Sequence, residues 1–270
     1  MDKQYNEIFS RNIGIITASD QEKLLKSTIA IAGVGSVGGL LAERLIRMGV
    51  GRLKITDPGD FKKSNFNRQF GASMSSLGHN KAEEVFHQIK DINSQVKIDV
   101  DPTGITSETD AIRFVGDSDL VVDGMDFGMF SQSIWLQKTA RQHGKYYLFA
   151  YPVAFGAMVV IFSPKGMTLE EYDNLPSNVD LTNIKEIKVP LERVLPIIPS
   201  YAPVTTYKVL KEIYTDDRPL PSLSIGVGLA SILATNEIIN IILQKRDVAV
   251  APRFTYIDLL DRLFVVGKVS

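Results

Sequence analysis

The sequence predicts an α/β fold built on a doubly wound, mainly parallel sheet of the Rossmann-like kind, and three observations carry that prediction. Apolar, β-branched runs of strand length alternate with segments of helical period over most of residues 28–164. The first run, "TIAIAGVG", ends in Gly33-x-Gly35-x-x-Gly38 and passes straight into a helical pattern. The second run closes on an acid, Asp57, nineteen residues after Gly38.

Each element follows from local pattern. Residues 20–27 read as a helix leading into the first strand, whose uninterrupted apolar character suits a parallel strand covered on both faces. "GSVGGLLAERLIRMG" has apolar residues at helical spacing and a stop at Gly49. "RLKITD" is the second strand, "GHNKAEEVFHQIKDIN" the second helix of the alternation and "QVKIDVDP" the third strand. "TDAIRFVGDSD" reads as helical, "LVVDGMD" as a fourth strand ending in acids, and "MFSQSIWLQKTARQHG" as another helix. "KYYLFAYPVAFGAMVVIFSP" supplies two more strands. From Lys165 to Pro221 seven prolines break the pattern, which marks a long crossover or lid rather than a second domain. "SIGVGLASILATNEIINIIL" and "RFTYIDLLDRLFVVGKV" then add a helix and paired strands. The expected organisation is one domain over 1–270, with a nucleotide-binding part (1–164), a crossover or lid (165–221) and a C-terminal helix with strands (222–270).

Composition narrows the chemistry. With 44% hydrophobic and 23% charged residues the chain has the make-up of an ordinary globular protein. A net charge of −1 without a long basic run argues against nucleic acid as the main partner, since phosphate neutralisation needs clustered Lys and Arg. There is no cysteine, so disulfides, thiolate nucleophiles and Cys-ligated zinc are excluded within this chain. His79, His87 and His143 are scattered and show no metal-ligand spacing. The start, "MDKQYNEIFSRN", is charged and lacks an apolar core, so no signal peptide is read there and a cytoplasmic location is expected. Residues 222–245 approach the length of a membrane span, but Asn236, Glu237 and Asn240 interrupt them, and a buried helix is expected instead.

The glycine turn carries the first functional signal. Gly33, Gly35 and Gly38 permit a tight turn and close backbone approach, and the helix behind them offers free N–H groups to phosphate. The bland alternative is a packing turn. Asp57 stands where such folds place the acid that binds ribose hydroxyls, although an Asp before Pro58 can equally cap a turn. To this point NAD and ATP fit equally well. "SNFNRQ" separates them: Arg68 offers a rigid donor fork to phosphate, with Asn65 and Asn67 able to bind ribose or phosphate oxygens and hold the loop. Lys81 opens a helix, where its charge opposes the helix dipole and an anionic ligand would offset the cost. Each cation alone could be a surface residue; following a ribose acid, the two together point to polyphosphate. Asp123 and Asp126 end the fourth strand, and a carboxylate beside a triphosphate is a natural Mg²⁺ ligand, with paired turn acids as the alternative. The set reads as ATP with Mg²⁺.

These same residues carry a resemblance. The ordered series "RNIGIIT", "IAGVGSVGG", "SNFNRQ", "NKAE" and "DLVVDGMD" resembles the ThiF/MoeB/HesA branch of the ubiquitin-activating enzyme superfamily over residues 11 to about 126, and more loosely to the C-terminus. The resemblance implies ATP- and Mg²⁺-dependent attack of a substrate carboxylate on the α-phosphate, giving an acyl-adenylate and pyrophosphate. It implies Asp57 on the ribose, Asn65, Arg68 and Lys81 on the phosphates, and Asp126 on the metal. It also implies a homodimer in which Arg11 enters the neighbour's site; by spacing alone Arg11 is a surface cation. Three departures stand out. Phe127 replaces an Asn that many relatives carry after the metal acid, Gly59 replaces a second acid, and the cysteines of thioester-forming relatives are absent. A thioester on this chain is therefore impossible. The resulting expectation is an adenylyltransferase acting on the C-terminus of a peptide or small ubiquitin-like protein. An NAD-dependent oxidoreductase and a non-catalytic nucleotide-binding scaffold are the rival readings.

Overall fold

The computed structural model of the chain describes residues 2–176, 189–201 and 221–269. Its helices are α1 (Lys3–Ile8), α2 (Ala18–Lys26), α3 (Ser36–Met48), α4 (Lys81–Ile92), α5 (Glu108–Val115), α6 (Phe130–Gln142), α7 (Leu169–Tyr172), α8 (Leu191–Val194) and α9 (Ser224–Leu243). The strands are β1 (Thr28–Ala32), β2 (Arg52–Thr56), β3 (Lys97–Asp101), β4 (Leu120–Asp123), β5 (Tyr146–Val153), β6 (Gly156–Phe162), β7 (Arg253–Asp258) and β8 (Leu263–Lys268). They form one eight-stranded sheet in the order β3-β2-β1-β4-β5-β6-β7-β8. The pairs from β3 across to β5 are parallel, and β6, β7 and β8 continue antiparallel.

Every residue of β1 is buried, as its apolar run requires when helices cover both faces. Ile29 and Ile31 join Leu41, Leu45, Val85 and Ala230 in the core under α3, α4 and α9. Ala30 and Ala32, pointing the other way, join Ala111, Val115, Ile134 and Ala140 under α5 and α6. Strand order reverses between β1 and β4, so this fold has a topological switch point where the glycine turn leaves β1.

Three expectations need adjustment. β4 stops at Asp123, so Asp126 lies in the following loop and not on the strand. Helix α9 is only partly buried: it packs on β5, β6 and α3, while Ile225 and Ile232 stand 50% and 52% exposed. By length and composition α9 could cross a bilayer, and here one of its sides covers the sheet. The crossover contains two short helices, α7 and α8, that proline content hid; residues 177–188 and 202–220 of it lie outside the described residues.

The N-terminal segment is tied down at the far end of α3. The Tyr5 hydroxyl donates to the Gly49 carbonyl at 2.6 Å and accepts from Gln21 Nε2 at 2.9 Å. Asn12 Nδ2 donates to Gln21 Oε1 at 3.0 Å, and Lys245 beyond α9 pairs with Asp20 at 2.7 Å. The 3₁₀ turn Ser10–Asn12 that carries Arg11 is thereby held near the C-terminal end of α3.

Candidate active site

The site forms where β1, β2 and β4 end. Gly33 leaves β1 with φ +85°, and a Cβ there would lie 2.5 Å from the Gly124 carbonyl oxygen. At Gly38 an added Cβ would fall 1.9 Å from the Gly33 carbonyl oxygen. Glycine is required at both positions, the first to let the turn touch the loop after β4, the second to bring α3 against its own approach strand. Gly35, the N-cap of α3, faces the side-chain amide of Gln69, whose atoms would lie 3.6–3.8 Å from an added Cβ.

Asp57 is 8% exposed and its two oxygens accept one backbone N–H each, from Val34 at 3.0 Å and Gly59 at 2.8 Å. Each oxygen keeps a second lone pair, so the carboxylate both fixes the glycine turn and can accept from a ribose hydroxyl. Burial pushes its carboxyl above the ordinary carboxylate range; the Lys81 ammonium opposes that rise, and the field of Asp126 adds to it. Asp57, Lys81 and Asp126 therefore sense one another across the site. Gly59 has a local reason as well: a Cβ there would sit 3.1 Å from Asp57 Oδ1 and 3.3 Å from Lys81 Nζ.

Lys81 opens α4 and is set by the residue before it. Asn80 caps the helix, accepting from Ala82 N at 2.9 Å and Glu83 N at 3.2 Å, while its Nδ2 donates to the Asp57 carbonyl at 3.0 Å. One asparagine thus joins α4 to the residue at the end of the second strand. An Asn ahead of "KAEE" is an N-cap signal that would have found it.

The "SNFNRQ" residues divide by role. Asn65 is buried and accepts from Lys62 N at 2.8 Å, a bond that folds the loop. Asn67 accepts from Arg68 Nη1 at 2.8 Å and donates to the Ser222 carbonyl at 3.1 Å, linking the loop to the residues before α9. Arg68 is half-buried; its Nη1 also donates to the Ser64 carbonyl at 3.1 Å, whereas its Nε is buried without a partner. Gln69 Oε1 is likewise buried and unpartnered. Native interiors seldom leave such atoms unpaired, so this pair beside the glycine turn fits a polar ligand.

The two strand-end acids separate. Asp123 turns inward, accepting from Ser133 Oγ at 2.5 Å and the Tyr147 hydroxyl at 2.6 Å, and burial raises its pKa. It is a structural acid. Asp126 is exposed and reaches out from the loop. No cluster of three or more His, Cys, Asp or Glu side chains suited to a metal occurs among the described residues. A single carboxylate still fits Mg²⁺, which commonly takes one or two protein carboxylates and completes its shell from phosphates and water.

Arg11 is not brought to this place within one chain. It is exposed beside the C-terminal end of α3, and the glycine turn lies at that helix's other end, about 20 Å away for 13 residues.

A reversed strand order, a glycine turn at the reversal, a buried acid at the next strand end and a lysine acting on it define an α/β protein of the Rossmann-like class. The profile of the ThiF family matches residues 9–268, and the chain belongs to that family. Over 118 residues it is 38% identical to the tRNA threonylcarbamoyladenosine dehydratase of Bacillus subtilis, a stretch covering 44% of this chain and 46% of that protein. Over 162 residues it is 25% identical to the sulfur carrier protein adenylyltransferase of Thermus thermophilus, covering 60% and 58%. The matched stretches thus span about half the length of these curated relatives. Among solved structures, E. coli MccB with ATP superposes with a TM-score of 0.72 at 18% identity, covering 100% of this chain and 74% of that one. PaaA superposes with a TM-score of 0.73 at 16% identity, covering 100% and 75%. At these identities the two structures bear on the fold.

Proposed function

We propose that this protein activates a substrate carboxylate by adenylation, using ATP with Mg²⁺, and that the carboxylate is the C-terminus of a peptide or small ubiquitin-like protein. The observation that carries the reading is the pair of buried, unpartnered atoms, Arg68 Nε and Gln69 Oε1, beside a glycine turn whose acid faces Lys81. Family membership supports the reaction class, and relatives named adenylyltransferase and ATP-bound MccB support the nucleotide. MccB in complex with N-formylated MccA and the ubiquitin-like modifier-activating enzyme 5 of Gallus gallus support a peptide or protein substrate.

In this reading Asp57 holds the ribose and the N–H groups of the Gly33–Gly38 turn cradle phosphate. Arg68 and Lys81 hold the polyphosphate in line while a carboxylate oxygen attacks the α-phosphorus. The bond from the α-phosphorus to its bridging oxygen breaks, and pyrophosphate departs with the electron pair. No base is needed, because the nucleophile is already an anion. The work is to hold two anions together and stabilise the charge that builds up. Asp126 would hold Mg²⁺, which when bound neutralises charge on the phosphates. The acyl group then leaves to an amine, amide or thiol of another molecule, because this chain has no cysteine to receive it.

Assembly as a homodimer in the cytoplasm belongs to the same proposal. The turn carrying Arg11 is tied to the end of α3 opposite the glycine turn, a helix about 20 Å long, so in this proposal Arg11 reaches the phosphates of a second copy. The 38% match to a tRNA-modifying dehydratase favours a second reading, in which the carboxylate is borne on a nucleoside. The net charge of −1 weighs against it.

The test is ATP–pyrophosphate exchange dependent on a pool of peptides with free C-termini. Exchange by the wild type, lost in Asp126→Ala while ATP binding persists, supports the reading. Exchange by Asp126→Ala at the wild-type rate removes the metal assignment, and binding of ATP without exchange across the pool supports the scaffold alternative.

A further inference from the structure

Among the described residues six buried side-chain atoms lack a hydrogen-bond partner, and three of them, Arg68 Nε, Gln69 Oε1 and Ser222 Oγ, belong to one corner of the site. Asn67 makes the corner. Its Oδ1 accepts from Arg68 Nη1 at 2.8 Å, and its Nδ2 donates to the Ser222 carbonyl at 3.1 Å. Ser222 and the Arg68 guanidinium are therefore bridged by a single side-chain amide. Gln69, the next residue, faces Gly35 of the glycine turn. The last residues before α9 thus come down beside the loop that carries Arg68, although nothing in their local sequence announces it.

Ser222 is held from its other side by α9, which begins two residues later. The first turn of that helix rests on the turn between β5 and β6. A Cβ at Gly226 would fall 2.4 Å from the Ala154 carbonyl oxygen and 3.0 Å from that of Gly156. Glycine there lets the helix, and Ser222 with it, sit against the sheet. The Ser222 hydroxyl is thus fixed in place by its surroundings without bonding to any of them. Native interiors seldom leave a buried hydroxyl in that state, so it calls for an occupant.

The neighbours select the occupant. Arg68 pairs with no carboxylate among the described residues: Nη1 donates to the Ser64 carbonyl and to Asn67, and Nε donates to nothing. Its charge is left for a ligand. A free hydroxyl one amide away from an unneutralised guanidinium suits an anion with several acceptor oxygens. We propose that Ser222 is a further nucleotide-binding residue, whose hydroxyl donates to an oxygen of the outer phosphates that Arg68 holds. Asn67 is then a positioning residue. Both ends of its amide are bonded to protein, so it acts by holding Ser222 beside Arg68. The proposal rests on the adenylation reading for the identity of the ligand.

The experiment is calorimetric titration of the full chain with α,β-methylene ATP and with AMP, both in the presence of Mg²⁺. Ser222→Ala should weaken the ATP analogue at least about fivefold and AMP by less than about twofold. The variant removes a hydroxyl that bonds to nothing, so its melting temperature without ligand should stay at or above the wild-type value. Asn67→Ala should show the same split between the two nucleotides. The double variant should lose less than the product of the two single losses, because one contact depends on both residues. Unchanged affinity for the analogue in Ser222→Ala, an equal loss for AMP, or losses that multiply in the double variant overturns the inference. Pyrophosphate exchange in the same samples separates the two claims. Exchange by the wild type with binding unaltered in Ser222→Ala sinks the Ser222 contact alone. The expected split between nucleotides without any exchange sinks the adenylation reading alone.

Discussion

At Asp57 a single carboxylate supports the glycine turn through Val34 N and faces Lys81, so its removal should affect every nucleotide alike. Asp57→Ala is expected to weaken ATP and AMP by similar factors, because both carry the same ribose hydroxyls. Arg68→Ala and Lys81→Ala should each cost about 1.5–3 kcal/mol of ATP affinity and far less for AMP, as charge-assisted bonds to the outer phosphates are lost. Parallel titrations with the two nucleotides check this, and equal losses for both would take the cations off the β- and γ-phosphates. Asp173 makes a separate prediction. Burial, opposed by Arg193, raises its folded pKa to about 7, above the unfolded value of about 3.9, so the folded state binds more protons between them. That contribution to stability is fully present below the unfolded value and is lost as pH rises through 7. Asp173→Asn should therefore raise the melting temperature at pH 8, and the gain should fade toward pH 4. A gain that does not depend on pH would contradict the assignment.

Among the elements, strands and helices were largely legible because their periods are unambiguous: β1 is an unbroken apolar run, and α3 shows helical spacing closed by Gly49. The places of the glycines, Asp57 and Lys81 at strand and helix ends were legible too, since each has a fixed offset from its element. Less legible was what depends on contacts distant in sequence. Asp123 and Asp126 look alike in "DGMD", and only Tyr147 and Ser133 make the first a buried structural acid. The strap formed by α1 and the 3₁₀ turn had no pattern to announce it, because it is held by the Tyr5 contact with Gly49, 44 residues away. Tyr5→Phe should lower stability by about 0.5–1.5 kcal/mol for the lost bond, with a further cost if the Gly49 carbonyl stays unpaired. ATP affinity should be unchanged, since the strap lies at the opposite end of α3 from the glycine turn. Denaturant titration beside nucleotide titration tests this; a large loss of ATP affinity would show that the strap supports the site within its own chain.

For the whole molecule, the reading requires two chains and two anions. If Arg11 serves a neighbour, inactive Arg11→Ala chains mixed with inactive Asp126→Ala chains should regain activity. Random two-fold pairing at equal mixing gives about half mixed dimers with one intact site each, so roughly a quarter of sites should recover. Given subunit exchange on the assay timescale, no recovery would place Arg11 outside the reaction. The central claim is chemical, however, and isotope transfer tests it most directly. A peptide substrate with both C-terminal carboxylate oxygens labelled as ¹⁸O is incubated with ATP, the protein and an amine acceptor, and the nucleotide product is weighed by mass spectrometry. Attack of the carboxylate on the α-phosphorus, followed by cleavage between acyl carbon and that oxygen, leaves one ¹⁸O in AMP. Singly labelled AMP is expected in step with acylated acceptor. Unlabelled AMP, or ADP and phosphate in its place, would contradict it.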